Sequence, residues 1–455
     1  MKIIIKATRK LFLKIFVLAT FLAVFISVVM YARGYRLNLA QGTIASTGIL
    51  SISSNPKPAS IYINGELGGA TDSNISLPYG IYNIEVRKEG YSSWSKQVAL
   101  KGEIVMSLNA KLFLKNPALT PLTNIGVTRA IPVGNSDRLI VVTKTGNIEK
   151  DGVYLFAPSY QPVAIFPPLK MLLLGNLLPE EYDITSLDLV FNPTYEQAVA
   201  TFYEKEDDDL TVTKKSPPQT IRRSVSYLLN LDTQNMNLFD LQSTKEAVIS
   251  KWNIEKYNEN NKLVETLPKK LQPLASTNML ILSMSPDDKK ILYVAKSNVG
   301  IPPILSSPLI GTNQTKEIRD IVEGKVYVYD IREDKNYELS LSNIPELSQS
   351  LKAKPPSEDL LNFEIEFSKY LSNYYDYVSQ LRNIITWLPT SDYLVLKEDK
   401  QLAVLSYDGS HKEIVYAGPF EREYFGVNAD SDLMTIINLN PQNNDSGDLY
   451  AINLW

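Results

Sequence analysis

The sequence predicts a mainly β protein: an N-terminal transmembrane helix, a small β-sandwich, and a β-propeller of five to seven blades carrying helical insertions. Three observations predict it. One uncharged run of about 18 residues stands near the N-terminus, Ile15 to Ala32. Short strand-forming runs with turn signals every eight to twelve positions fill the next stretch, to about residue 110. Beyond residue 125, a phrase made of a turn and then two strand runs occurs five times.

The apolar run is long enough to cross a bilayer, since a helix of 18 residues covers about 27 Å. Lys2, Lys6, Arg9, Lys10 and Lys14 precede it with no acid among them, and only Arg33 and Arg36 follow closely. That imbalance places the N-terminus in the cytoplasm and residues 34–455 outside. Two other readings compete. A cleaved signal peptide calls for a shorter apolar core and a small residue three before the cut, where Met30-Tyr31-Ala32 fits poorly. A buried core helix calls for a polar face, which this run lacks. The expectation is a single-pass anchor, residues 1–33, with residues 34–47 as a polar linker.

From residue 48 the strand signals are Gly48–Ile52, Ala59–Ile63, Ile81–Val86, Ser95–Leu100 and Ile104–Leu108. Asn64-Gly65 closes a hairpin because both residues reach positive φ cheaply. These runs predict a small antiparallel sandwich over residues 48–115. Tyr91 and Trp94 invite two readings, a carbohydrate-stacking platform or a cover for the core; so small a module needs them as core. The order Pro56-x-x-Ala59, Ile61-Tyr62-Ile63-Asn64-Gly65, Leu77-Pro78-x-Gly80, Tyr82-x-Ile84-x-Val86 and Lys88-x-Gly90-Tyr91 resembles the PEGA domain. Pro58 stands where that family has Gly. The resemblance implies a non-enzymatic β-sandwich module of prokaryotic surface proteins, a spacer or a surface contact.

The five phrases of residues 126–455 begin at Gly134, Pro193, Pro286, Pro389 and Ala429. Each turn leads into an apolar run: Leu139–Val142, Ala198–Thr201, Ile291–Val294, Leu394–Leu396 and Met434–Ile437. A second run follows each: Val153–Phe156, Val225–Leu231, Val326–Ile331, Leu402–Tyr407 and Leu449–Leu454. The first runs do not alternate, so they suit strands covered on both faces, as between neighbouring blades. The last interval, about 40 residues, equals one undecorated blade. The longer intervals hold insertions, with helical signals near 241–273 and 344–381. Asn116–Thr123, with two prolines, reads as the boundary between modules. Two separate β units joined by helices would be the competing architecture. Met284-Ser285-Pro286-Asp287-Asp288-Lys289-Lys290, then Val326–Asp330, resembles TolB-type propeller repeats, with Asp288 where the repeat has Gly. That resemblance implies a propeller with a binding or scaffolding role.

Composition excludes several chemistries. The chain of 455 residues has no cysteine and one histidine, His411. Disulfides, thiolate catalysis and Cys-ligated zinc are removed together. A net charge of −4 leaves no basic footprint for nucleic acid. Glu204 and Glu206–Asp209 form the densest acidic cluster, but consecutive acids without a Gly suit a solvated loop better than a calcium site. Asp287-Asp288 reads as a turn cap, and His411, after Asp408-Gly409-Ser410, as a surface histidine. No catalytic residue, metal site or cofactor is therefore assigned. The expected function is non-enzymatic: a membrane-anchored extracytoplasmic protein that binds a protein or a cell-envelope polymer. The alternative is an extracytoplasmic propeller hydrolase or lyase acting on glycans or peptides, with carboxylates gathered from distant blades.

Overall fold

The structure is a computed structural model that describes residues 2–32, 35–38, 43–134, 136–158, 168–205, 222–306, 309, 311–356, 362–418, 420, 424–439 and 446–455. The acidic run Glu206–Asp209 lies outside the described residues. The chain divides into two compact units, Met1–Lys115 with Ser307–Thr315, and Asn116–Ser306 with Lys316–Trp455.

The first unit opens with helix α1 (Lys2–Ala32), of which Phe12–Ala32 is long and apolar enough to cross a membrane, with a mean hydropathy of 2.6. Within it Thr20 and Ser27 donate their hydroxyls to Phe16 O and Ala23 O, so neither polar group is left unpaired. Strands β1 (Tyr35–Asn38) and β2 (Thr43–Asn55) form an antiparallel hairpin that pairs Tyr35 with Ser46 and Asn38 with Thr43. This corrects the expected linker at 34–47. Its Thr, Ile and Tyr residues suit a strand, and the long β2 extends the ladder beyond the sandwich.

The remaining strands are β3 (Ser60–Ile63), β4 (Glu66–Ala70), β5 (Ser73–Pro78), β6 (Gly80–Arg87), β7 (Trp94–Leu100) and β8 (Val105–Lys111). They form two four-stranded sheets: β1-β2-β5 with β8 beside β2, and β4-β3-β6-β7. The sandwich is not wholly antiparallel, because β2 and β8 run parallel from Ile49↔Val105 to Asn55↔Lys111. A parallel pair needs a long crossover, here supplied by the intervening strands β3–β7. Alternation decides the core: Leu50, Ile52, Ile84, Val86, Val98, Leu100 and Met106 point inward, while Ile49 and Val105 face out. Trp94 belongs to this core and Tyr91 packs against it, as core residues of so small a module should. Ser307–Thr315 joins the unit through the Gln314 amide, whose Oε1 accepts Ala99 N–H (2.6 Å) and whose Nε2 donates to Ala99 O (2.8 Å). That side chain satisfies an edge position of β7.

The second unit begins with a short strand, β9 (Leu119–Pro121), in the segment expected to be only a boundary. Four-stranded sheets follow in chain order. The first is β10 (Val127–Pro132), β11 (Leu139–Thr143), β12 (Gly152–Phe156) and β13 (Leu169–Leu174). The second is β14 (Tyr182–Phe191), β15 (Gln197–Glu204), β16 (Ser224–Asn230) and β17 (Phe239–Asp240). Helices α2 (Lys245–Thr266) and α3 (Gln272–Asn278) come next. The third sheet has β18 (Met279–Met284) and β19 (Lys290–Ala295), a two-stranded excursion of β20 (Val299–Gly300) and β21 (Asp320–Ile321), then β22 (Val326–Asp330) and β23 (Lys335–Leu339). After α4 (Gln349–Lys352) and α5 (Phe363–Arg382) the fourth sheet has β24 (Ile385–Trp387), β25 (Tyr393–Glu398), β26 (Gln401–Ser406) and β27 (Lys412–Ala417). The fifth has β28 (Phe425–Val427), β29 (Leu433–Ile437) and β30 (Asp448–Ile452), and its fourth strand is β9.

All five apolar runs named from the sequence are second strands of these sheets, and all five following runs are third strands. β11 explains the missing alternation. Leu139 and Val141 pack with Met434, Ile436 and Leu449 of the fifth sheet, while Ile140 and Val142 pack with Ala200 and Phe202 of the second. A strand buried on both faces has no polar side to show. In the same way Leu292 and Val294 of β19 meet Leu394 and Leu396 of β25.

Strand β9 joins the fifth sheet through Leu119↔Ile452, Thr120↔Ala451 and Pro121↔Tyr450. Proline is acceptable there because the outer strand owes no hydrogen bond on its free side. Asp448 Oδ1 fastens the segment that follows by accepting from Thr123 Oγ1 (3.0 Å), Ile125 N (3.0 Å) and Gly126 N (3.2 Å).

Candidate functional site

The site is built from the turns that join first to second strands. In the last four sheets these turns share one geometry. The first turn residue is Asn192, Ser285, Leu388 or Asn428, and its carbonyl accepts the N–H three residues on. The donors are Tyr195 (3.2 Å), Asp288 (2.8 Å), Ser391 (3.0 Å) and Ser431 (3.1 Å). Each of those donors takes a left-handed backbone, with φ of 55°, 55°, 62° and 69°. This is a type I turn followed by one left-handed residue, which matches the twist of the flanking strands. Pro193, Pro286 and Pro389 occupy the second position, where φ near −65° is wanted. Side chains lock the frame: Asn192 Oδ1 accepts Glu196 N (2.9 Å), Ser285 Oγ accepts Lys290 N (2.9 Å) and Asn428 Oδ1 accepts Asp432 N (2.8 Å). Asp287 acts as the expected cap, its Oδ1 accepting from Lys289 N (3.3 Å) and from Ser285 Oγ (2.6 Å). Asp288 instead fills the left-handed place.

The first sheet's turn differs. Its left-handed residue is Gly134 (φ 63°), where a Cβ would stand 2.7 Å from the Tyr195 ring. Only glycine allows that contact between the first and second turns. Arg138 Nη2 adds a bond to Tyr195 O (3.3 Å).

Four of these turns, all but that of the second sheet, contribute to the lining of a cavity of about 640 Å³. Gly134 and Ser136 come from the first turn, Ser285 and Pro286 from the third, Pro389 from the fourth, and Asn428 and Ala429 from the fifth. Two helices complete the wall: Asn260 and Leu263 from α2, and Tyr374, Tyr375, Val378 and Arg382 from α5. Trp387 of β24 and Phe425 of β28 add aromatic surface, and Asp137 and Asp288 add carboxylates. The helix α5 holds its face by burying Tyr370, Leu371, Tyr374, Tyr377, Val378 and Leu381. This three-to-four-residue spacing suits one helical stripe.

Burial sets the electrostatics. Tyr374 donates its hydroxyl to Ile281 O (2.8 Å), and burial pushes its pKa up. Burial does the same to Tyr375. Lys256 of α2 donates to Phe191 O (2.5 Å) and lies 5.7 Å from the centre of the Tyr375 ring. Burial, with the Arg382 charge, lowers its pKa to about 8. Two donors of the lining, Arg382 Nε and Trp387 Nε1, are buried with no hydrogen-bond partner. The arrangement can bind: it offers aromatic and aliphatic walls, hydroxyl and amide groups, two carboxylates and one guanidinium, with the Lys256 ammonium near enough to feel it.

Sequence reasoning marked the turns but assigned no site residue. Arg382, Trp387, Tyr374 and Tyr375 carry no motif, and the one available signal was the tyrosine-rich Phe363–Arg382 stretch. His411 lies elsewhere, and the surface reading of it is corrected. It is half-buried, its Nε2 has no partner, and burial lowers its pKa. Glu204 ends β15, where its carbonyl accepts from Arg222 Nη2 (2.7 Å). Among the described residues no group of three or more His, Cys, Asp or Glu could hold a metal ion.

Residues 47–116 match the PEGA domain family. No curated protein matches the chain. Three solved structures are similar at a low level. Pyrococcus horikoshii acylaminoacyl peptidase shares 8% identity and a TM-score of 0.21, over 90% of this chain and 51% of that one, so the chain spans about half the length of the peptidase. An auxiliary nutrient binding protein from Bacteroides ovatus shares 9% identity and a TM-score of 0.18, over 90% of this chain and 81% of that one. A putative TolB from Agrobacterium tumefaciens shares 8% identity and a TM-score of 0.16, over 82% of this chain and 89% of that one.

Proposed function

We propose that the chain is a single-pass membrane protein whose second unit is a five-bladed β-propeller, held outside the cytoplasm, that binds a partner without chemical turnover. The observation that carries the reading is the fifth sheet, whose fourth strand comes from the start of the unit. Completion of a last blade by the first strand is how a radial array closes its ring and removes an open edge. The shared turn geometry supports the same reading, because equivalent turns in equivalent blades fall at one end of a ring. The cavity where they meet is the binding site, and its mix of apolar wall and few polar groups suits recognition. The partner is a protein or a polymer of the cell envelope. The PEGA match and the basic segment ahead of the apolar part of α1 support an external body.

The absence of cysteine makes a direct test simple. Glu259→Cys, at an exposed position of α2, should react with a membrane-impermeant maleimide in intact spheroplasts. A photo-crosslinking residue at Leu263, in the cavity wall, should capture a partner that the same residue at exposed Ile148 does not. Labelling only after permeabilisation would overturn the topology, and equal capture at both positions would overturn the site.

A further inference from the structure

Resting on the single-pass reading, we infer that the end of the sandwich nearest α1 is a lipid-contact surface, with Tyr79 and Ile81 seated among the headgroups. The first reason is position. The apolar part of α1, Phe12–Ala32, covers about 32 Å as a helix, so Ala32 falls at the edge of a hydrocarbon layer about 30 Å thick. Tyr35 opens β1 three residues later, within about 11 Å of chain. It pairs with Ser46, and Ser46 O accepts Tyr79 N–H (3.0 Å). The turn from Pro78 to Gly80 crosses this end from β5 in one sheet to β6 in the other, which puts the Tyr79 backbone two strand spacings, about 10 Å, from Tyr35.

The second reason is the order of side chains along the strands. On its outer face β2 presents Ile49, then Ser51 and Ser53, and its neighbour β8 presents Val105, then Ser107 and Asn109. In the other sheet β6 presents Ile81, then Asn83, Glu85 and Arg87. In all three strands the apolar residue stands at the α1 end, and polar ones follow away from it. Ile49, Tyr79, Ile81 and Val105 are 40%, 71%, 67% and 59% exposed; among the described residues from 46 to 115 the one other large apolar side chain so exposed is Leu67 of β4. A module wetted evenly on all sides has no cause to gather its exposed apolar groups at one end. Ser307–Thr315 does not cover them, since Val105 keeps its exposure although a Cβ at Gly311 would stand 3.4 Å from Val105 O. Lys101 and Glu103, both exposed at this end, offset one another, so the surface is apolar and aromatic and does not call for anionic lipid. Tyrosine suits the headgroup layer because its ring is apolar while its hydroxyl stays wet. On this seat the β1–β2 hairpin, which runs on beyond Ser46, lies along the interface.

The test uses the full-length protein in phosphatidylcholine nanodiscs, with a bimane fluorophore on single cysteines, since the chain has no cysteine to remove. Tyr79→Cys and Ile81→Cys replace exposed side chains and leave the core intact. Both labels should lose at least about half their emission when the lipid carries a nitroxide on its headgroup, because that layer is only several Å deep. A label at Asn109→Cys, four residues beyond Val105 on β8, should lose almost none. Adding phosphatidylglycerol should change neither result. Tyr79→Ser with Ile81→Ser should reduce the quenching of a Val105→Cys label, which shows that the two side chains cause the seat. Phe21→Cys, in the apolar part of α1, separates this inference from the reading beneath it when the nitroxide is moved into the acyl chain. If Phe21 is quenched there while Tyr79 and Ile81 behave like Asn109, the seat falls and the anchor stands. If Phe21 is not quenched, the anchor falls and the seat with it. Labels at Tyr79 and Ile81 that are shielded from iodide yet unquenched by lipid would mean that protein covers this end. Quenching that needs phosphatidylglycerol would mean a charged contact. Either result would overturn the inference.

Discussion

The hydroxyl of Ser391 accepts the backbone N–H of Asp287 at 3.0 Å, across 104 residues of chain. The bond ties the turn of the fourth sheet to that of the third, and Ser391 makes it from a left-handed backbone (φ 62°) while 3% exposed. One residue therefore serves turn geometry and contact between sheets at once.

Ser391 should respond differently to two substitutions. Ser391→Ala loses the hydroxyl and keeps the cost of a left-handed Cβ, so it should destabilise the second unit by about 1–2 kcal/mol. Ser391→Gly loses the same bond but relaxes the backbone, so it should cost less. Urea unfolding of the two variants decides this. Equal losses would mean that the backbone carries no strain there. Asp288→Gly, at an exposed left-handed position, should be neutral or stabilising by about 0.5 kcal/mol.

A charge placed in a doubly covered strand should be fatal. Ile291 is fully buried in β19, so Ile291→Asp should cost at least about 4 kcal/mol and abolish cooperative unfolding. Ile148, 69% exposed, provides the control, and Ile148→Asp should stay within about 0.5 kcal/mol of the parent. A native-like melt for Ile291→Asp would refute the packing of β19.

The closure of the fifth sheet can be weakened at one atom. Asp448→Ala removes the oxygen that receives Thr123, Ile125 and Gly126. The expected loss is about 2–4 kcal/mol, since bonds to a charged acceptor exceed neutral ones and three donors lose their partner. The check is faster amide exchange at Thr120 and Ile125 than in the parent, with β19 unaffected.

Stability should pass through a maximum as pH rises. Lys256 and Lys296 each have a folded pKa lowered to about 8 by burial. Above pH 8 the unfolded chain holds more protons at these groups than the folded one, so stability rises from pH 8 toward about 10. Buried tyrosines work in the opposite sense. The folded pKa values of Tyr374, Tyr375 and Tyr424 are raised above the ordinary 10. Above pH 10 the unfolded chain loses these protons first, and stability falls. Melting temperatures between pH 7 and 11 should show the rise, and Lys256→Met with Lys296→Met should flatten it. A monotonic fall from pH 7 would contradict the burial of both lysines.

The legible parts of this chain are those in which cause and effect are close in sequence. A turn rich in Pro, Asp, Asn or Ser and a run of strand formers within ten positions define a turn and its strand, so all five turns could be located, two of them without a proline. The uncharged Ile15–Ala32 run and the Asn64-Gly65 hairpin are local in the same way. Strand β9 was not legible, because its partner β30 lies some 330 residues away and Pro121 argues against a strand until an outer edge is known. The hairpin of β1 was missed although its partners, Thr43 to Ser46, are close in sequence, because its polar, glycine-containing stretch shows no clear alternation. The cavity was not legible either. Its lining comes from Gly134, Pro389, Ala429 and two helices, and no spacing links Arg382 to Trp387 as a pair of donors. His411 shows the same limit, since a turn residue is buried by what packs over it.

The seam between β9 and β30 also has a mechanical meaning. The chain that leads back to α1 leaves the second unit through β9, which is held by three residue pairs and by the grip of Asp448. A partner bound in the cavity and a helix fixed in a bilayer would pull on opposite ends of that connection. That load would be shared between this short outer strand and Ser307–Thr315, which Gln314 ties to Ala99 of the first unit. Within its own sheet the seam would then work as a fuse, the three-pair edge ladder yielding before β29 and β30 part and reclosing when the pull is released.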